Sequence, residues 1–250
     1  MRIGFVGTGE IAVAMVRGLV GRGHLIIVSN RNAEKAAQLA AEVPEVTVAE
    51  NAQVVAESDT VFLCLMADTA RQLLANLPFR TDQRIISVMA DLPLAELQSL
   101  CAPATDIAIT IPLAAIAKGG SMLPVYPPSS ALKALFGETD TLLPVASERA
   151  LNAHFGGTAL CAPLIALMQS GSRWLADQTG DVQAAERYVA GVFAAFLRDV
   201  AAGETDFEAL LQSLATEGGL NAHMKAHMAA AGSADTLTEG LDALKPRLGL

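Results

Sequence analysis

The chain has 250 residues, of which 52% are apolar and 17% charged, enough to build a sizeable core and too apolar for a disordered chain. Its net charge of −9 comes with no basic cluster, which argues against a nucleic-acid partner. Three widely spaced cysteines, Cys64, Cys101 and Cys161, form no CxxC pair, so neither a zinc site nor a disulfide framework is expected, and a cytoplasmic location fits best.

Short apolar runs alternate with helical patterns up to about residue 145. Strands are expected at Arg2–Val6, Leu25–Val28, Val46–Val48, Val61–Leu65, Arg84–Val88 and Asp106–Ile111. They are continuous hydrophobic runs, the pattern of strands buried on both faces of a parallel sheet. Helices are expected between them at Ile11–Val20, Ala33–Glu42, Ala52–Glu57, Thr69–Asn76 and Leu94–Leu100. This β-α alternation predicts a doubly wound α/β domain of the Rossmann type over residues 1–146. The first strand starts at residue 2, so the N-terminus does not read as a signal peptide.

After Pro144 the strand signals stop. Ser147–Ala153, Leu160–Gln178, Val182–Ala202, Phe207–Leu214, Leu220–Ala230 and Ala234–Leu244 read as helices, punctuated by Gly180-Asp181, Gly203-Glu204-Thr205-Asp206 and Gly232-Ser233. Residues 147–250 are therefore expected to form an all-helical second domain. The uncharged stretch from Phe155 to Ser172 approaches the length of a membrane span, but its Gly, Pro, Gln and Ser residues favour a helix buried in protein or at a subunit interface. Val189–Leu197 is apolar around most of its circumference, and a homodimer or higher homo-oligomer is expected to cover it.

Gly7-Thr8-Gly9-Glu10-Ile11-Ala12 forms a G-x-G-x-x-A pattern between the first strand and the first helix. Gly7 permits the tight turn, Gly9 lets a diphosphate approach the backbone, Ala12 allows close helix–sheet packing, and the helix N-terminus offers free N–H groups to phosphate. The second strand runs into Ser29-Asn30-Arg31, where a site for NAD usually presents a carboxylate to the ribose. Arg31 instead offers a planar fork suited to a 2′-phosphate, with Ser29 and Asn30 as hydrogen-bonding neighbours, and NADP is the expected cofactor.

Several segments together resemble the pyrroline-5-carboxylate reductases, which reduce a cyclic imine to proline. Ile3-Gly4-Phe5-Val6-Gly7-Thr8-Gly9 with Ala12 is similar to that family's opening, as are Ser29-Asn30-Arg31, Asn51, the strand Ile85-Ile86-Ser87-Val88, Pro112, Ala162-Pro163 and Gly218-Gly219. The resemblance implies that Asn51 and Pro112 lie with the cofactor; Leu65 and Met66, at the end of the fourth strand, are expected beside them, with packing as the simpler reading of Met66. It also implies that helices of the second domain interlock across a dimer. A substrate carboxylate would then meet the loop and helix start at Gly218, Gly219, Leu220 and Asn221. The chain departs from the family at Met66-Ala67, where a Lys-Pro pair is usual, and at Leu113 in place of an asparagine. Glu217, Leu220 and Asn221 likewise replace a proline and two threonines, and Glu217 sets a negative charge beside the carboxylate position.

The expected reaction is hydride transfer from a nicotinamide to the C=N carbon of a small cyclic imine, the hard chemistry being the cofactor's. An imine is often protonated already, so no strong acid is required. A dehydrogenase of small hydroxyacids or ketoacids, which would need one, and a non-catalytic NADP-binding protein are the alternatives. Lys118 and His154 are the candidate proton donors, each with a simpler reading as a surface lysine in a turn and a capping histidine. His223 and His227 share a helical face, but Met224 stands where a zinc protease carries its glutamate and no third ligand is evident; no metal is expected.

Overall fold

The computed structural model describes residues 1–250, which divide into two compact units: Met1–Phe155 with Pro246–Leu250, and Gly156–Lys245. The first unit is built on an eight-stranded sheet. In chain order its elements are β1 (Arg2–Val6), α1 (Glu10–Leu19), β2 (Leu25–Ser29), α2 (Ala33–Glu42), β3 (Val46–Ala49), α3 (Asn51–Glu57), β4 (Thr60–Leu63) and α4 (Ala67–Leu73). There follow β5 (Arg84–Ser87), α5 (Leu94–Leu100), β6 (Asp106–Thr110), β7 (Met122–Tyr126), α6 (Ser130–Phe136), β8 (Thr141–Pro144) and α7 (Glu148–Thr158). Short 3-10 turns occupy Leu74–Asn76 and Ala114–Lys118.

The sheet order is β3-β2-β1-β4-β5-β6-β7-β8, parallel except between β6 and β7. The doubly wound sheet expected from the alternating pattern is thus the fold of the first unit. Its continuous apolar strands serve two cores at once, because successive side chains point to opposite faces. Phe5, Phe62, Ile86 and Ala108 enter one core, beneath α1, α2 and α6. Val6, Val61, Leu63, Ile85, Ile107 and Ile109 enter the other, beneath α3, α4 and α5. Phe62 stacks on Phe5 at 4.8 Å between ring centres and meets the edge of Phe136 at 6.3 Å.

Two strands escaped the sequence reading, β7 and β8. Pro124 sits inside β7 and Pro144 ends β8, and proline ordinarily argues against a strand because it lacks an N–H. The β6–β7 register involves only Val125 and Tyr126, beyond the proline, so the ladder is kept short enough to tolerate it. Pro124 also contributes its carbonyl, which accepts the Thr110 hydroxyl at 2.8 Å.

The boundary between the units falls at Phe155–Gly156 and not at 146–147. Leu151 explains the shift: it is fully buried in the core under α3–α5, with Phe155 packed against that core. In addition, the Glu148 carboxylate accepts the Leu94 N–H at 2.7 Å. The last five residues return to the first unit, where Leu248 is buried and Arg247 pairs with Asp91.

The second unit is helical throughout. It holds α8 (Cys161–Thr179), α9 (Val182–Ala202), α10 (Phe207–Leu214), α11 (Leu220–Ala230) and α12 (Ser233–Asp242); α13 (Lys245–Leu248) follows at the return of the chain. Gly180 closes α8 in the left-handed conformation at φ 76°, and Asp181 caps α9 by accepting the Ala184 N–H at 2.9 Å. Asp206 caps α10 in the same way. The glycine stops and the aspartate caps in the sequence therefore act as read, whereas Ser233 is the first residue of α12 and makes no capping bond. This unit buries few of its apolar side chains: Ile165, Trp174 and Tyr188 are each about two-thirds exposed, and α10, α11 and α12 bury no residue fully. The helical stretch Glu148–Thr179 is long enough to cross a bilayer and contains an 18-residue window apolar enough to do so by composition alone, with a mean hydropathy of 1.3 in that window.

Candidate dinucleotide site

The strand order reverses direction between β1 and β4, and the carboxyl ends of the strands open there into a cleft of about 630 Å³. Open α/β sheets bind ligands at this topological switch point. The cleft is lined by Gly7, Thr8, Gly9, Glu10, Ile11 and Ala12 after β1, and by Arg31, Asn32 and Ala33 after β2. Cys64, Leu65 and Met66 after β4 and Val88 after β5 complete it.

The glycine turn is fixed from below. Gly7 has φ +97°, and a Cβ there would lie 2.2 Å from the Cys64 carbonyl oxygen, so only glycine fits. Its N–H donates to the Ser29 hydroxyl at 2.8 Å, while the Thr8 hydroxyl donates to the Ser29 carbonyl at 2.5 Å. Thr8 and Ser29 are both buried. Gly9 is the opposite case. It has ordinary dihedrals, a Cβ there would meet nothing within 4 Å, and it caps α1 with no side chain. Space is therefore left open above the first turn of a ten-residue helix, the cradle that a diphosphate needs.

Arg31 lines the cleft, is exposed and has no ion-pair partner. The other basic groups on α1 and α2 are committed: Arg17 to Glu42 at 2.8 Å, and Lys35 to Glu10. The end of the cleft at Cys64, Leu65, Met66 and Val88 is apolar, with Met66 70% exposed. Burial pushes the Cys64 thiol up to about 12, which disfavours the thiolate.

Of the residues singled out in the sequence, Gly7–Ala12, Arg31, Leu65 and Met66 come together around the cleft. Ser29, Asn30, Asn51 and Pro112 do not line it. The Ser29 hydroxyl is engaged by Gly7, and the Asn30 amide donates to Glu50. Pro112 is buried. Asn51 opens α3, and its buried Oδ1 has no hydrogen-bond partner. Neither proton-donor candidate reaches the cleft. Lys118 is an exposed residue at the end of a 3-10 turn, and the His154 ring donates to the Ala150 carbonyl of its own helix at 2.7 Å. Gly218, Gly219, Leu220 and Asn221 lie together in the second unit, where Gly218 has φ +75° and Gly219 caps α11 without a side chain.

Four lining residues were missed in the sequence: Asn32, Ala33, Cys64 and Val88. Cys64 and Val88 were legible in principle, since each falls at the carboxyl end of a strand next to the switch point.

A model of the family described as NADP oxidoreductase coenzyme F420-dependent matches residues 2–91. A pyrroline-5-carboxylate reductase of Pseudomonas aeruginosa is 31% identical over 103 residues, which are 39% of this chain and 38% of that enzyme. The 1-pyrroline-5-carboxylate reductase of Streptococcus pyogenes superposes with a TM-score of 0.83 at 20% identity, over 100% of this chain and 99% of that one. This chain has the pyrroline-5-carboxylate reductase fold. The Plasmodium falciparum pyrroline carboxylate reductase, solved with NADP bound, gives the same TM-score at 12% identity, over 100% of this chain and 97% of its own. The resemblance read from the sequence is thus borne out. The fold likeness extends across both units, whereas the family model matches residues 2–91 alone.

Proposed function

We propose that this protein is an NADPH-dependent oxidoreductase that reduces the C=N bond of a small cyclic imine, in the manner of the pyrroline-5-carboxylate reductases. The observation that carries the reading is an unpaired Arg31 at the end of β2, in the same cleft as an open glycine turn. No carboxylate stands among Ser29, Asn30, Arg31 and Asn32 to favour an unphosphorylated ribose.

Thr8–Ala12 would hold the diphosphate through backbone N–H groups, with Gly7 shaping the turn while its own N–H is given to Ser29, and Arg31 with Asn32 would take the 2′-phosphate. Cys64, Leu65, Met66 and Val88 give an apolar wall at the other end. When bound, the cofactor supplies a hydride from its nicotinamide. The protein's own contribution is alignment, which is worth about 7–11 kcal/mol when reacting groups are well placed. The substrate is held by the loop at Gly218 and Gly219 and the start of α11. Glu217 disfavours a carboxylate on that substrate, so pyrroline-5-carboxylate itself is a poor one.

The protein works as a homodimer or higher homo-oligomer in the cytoplasm, in a step like that of proline biosynthesis. What supports a dimer is the second unit, whose apolar helices need a covering surface; a second copy supplies one without a membrane.

The test is NADPH oxidation with pyrroline-5-carboxylate and a panel of uncharged cyclic imines, repeated with Glu217→Pro plus Asn221→Thr. Turnover of uncharged imines, with pyrroline-5-carboxylate gained in the double variant, is the expected result. Binding of NADPH with no turnover of any imine would overturn the catalytic reading.

A further inference from the structure

Glu10 stands on the wall of the cleft, in the first turn of α1, and its carboxylate holds the Lys35 ammonium of α2. The same glutamate borders a neighbouring depression lined by Arg17, Lys35 and Gln38. Lys35 belongs to the first turn of α2, whose cap Asn32 lines the cleft and accepts the Lys35 N–H at 3.2 Å. One cation, Arg31, therefore faces the cleft free, while a second, a helical turn further on, is tied to a carboxylate at the cleft's edge. Glu10 is 79% exposed in its side chain, so nothing in the packing requires an acid there. The Lys35 ammonium keeps the Glu10 carboxyl below its ordinary range and hence ionised at neutral pH.

A carboxylate on the wall of a phosphate-binding cleft acts against its ligand in two ways. It repels the incoming phosphate, and it competes with that phosphate for the nearest lysine.

We propose that Glu10 is a cofactor-selectivity residue that restrains the preference for NADP over NAD by withholding Lys35 from the 2′-phosphate. This inference rests on the dinucleotide reading of the cleft. Removing the charge at residue 10 frees Lys35 to join Arg31, and only a ligand with a 2′-phosphate gains from that. The gain is modest because the pair is exposed: about fivefold for NADPH, and less than about twofold for NADH.

The experiment titrates wild-type protein, Glu10→Gln and the double variant Glu10→Gln/Lys35→Met with NADPH and with NADH, by nucleotide fluorescence. The expected result is an NADPH-to-NADH affinity ratio raised about fivefold in Glu10→Gln and returned to the wild-type value in the double variant. An unchanged ratio in Glu10→Gln, or a double variant as tight as Glu10→Gln, would overturn the proposal while leaving the dinucleotide site intact, provided the wild-type protein binds NADPH. Failure of the wild-type protein to bind either nucleotide would overturn the dinucleotide reading and this inference with it.

Discussion

The N–H of Gly7 donates to the side-chain oxygen of Ser29 at 2.8 Å, tying the glycine turn after β1 to the end of β2. The Thr8 hydroxyl makes a second tie to the Ser29 carbonyl. The turn that would cradle a diphosphate is thus set by a buried serine that does not line the cleft itself. Replacing Ser29 by alanine leaves a buried N–H without a partner, at a cost of about 1–3 kcal/mol. The expected result is a lower unfolding midpoint and a raised KM for NADPH and NADH alike, with kcat nearly unchanged. A shift in the NADPH-to-NADH ratio would show that Ser29 reads the 2′-phosphate directly.

The two glycines of the turn are expected to separate stability from binding. Gly7→Ala forces a Cβ against the Cys64 carbonyl at a positive φ and should destabilise the fold by about 2 kcal/mol or more. Gly9→Ala places its methyl in open space, so the unfolding midpoint should stay within about 0.5 kcal/mol of wild type while dinucleotide affinity falls. Thermal melts and nucleotide titrations of both variants check this. Unimpaired binding in Gly9→Ala would mean that the diphosphate lies elsewhere.

At the C-terminus, Arg247 grips the Asp91 carboxylate through two nitrogens at 3.1 and 2.7 Å, and Arg149 donates to the Gly249 carbonyl. The hydrogen bond from Arg247 holds the Asp91 carboxyl below its ordinary range. A carboxyl depressed on folding stabilises above its unfolded pKa, and that contribution is lost as the pH falls through the folded value. Arg247→Ala should therefore lower the melting temperature slightly at neutral pH. The difference from wild type should shrink as the pH drops below the ordinary aspartate range. A difference that grows on acidification would contradict the pairing.

The exposed apolar side chains of α8 and α9 predict a self-associated protein. Sedimentation at micromolar concentration should give at least twice the chain mass. Ile165→Asp and Phe193→Asp, which place charge on these helices, should lower the mass without unfolding the first unit. A monomer for wild type would count against a second copy as the covering surface.

The parts of this structure that follow from local chemistry could be read from the chain. The strands β1, β2 and β4 to β6 announce themselves because burial on both faces makes them largely apolar, and α8 to α11 are set off by glycine and aspartate caps. The strands β7 and β8 stayed hidden because Pro124 and Pro144 break the pattern that marks a strand, and only the tertiary register shows why they are tolerated. The site divides in the same way. Gly7, Gly9 and Arg31 are legible because their chemistry is local to a turn and a strand end. Ser29 was legible as a polar residue near the cofactor, but its task depends on a partner 22 positions away. The commitment of Lys35 to Glu10 spans two helices, and no spacing in the sequence reveals it.

The central claim, a cleft that takes a 2′-phosphorylated dinucleotide through Arg31, is tested most directly by titrating wild type and Arg31→Leu with NADPH and NADH. Wild type should bind NADPH more tightly, and Arg31→Leu should lose about 10- to 100-fold in NADPH affinity while NADH changes little, the value of a charge-assisted hydrogen bond to phosphate. Equal or tighter binding of NADH by wild type, or an Arg31→Leu loss shared equally by both nucleotides, would contradict it.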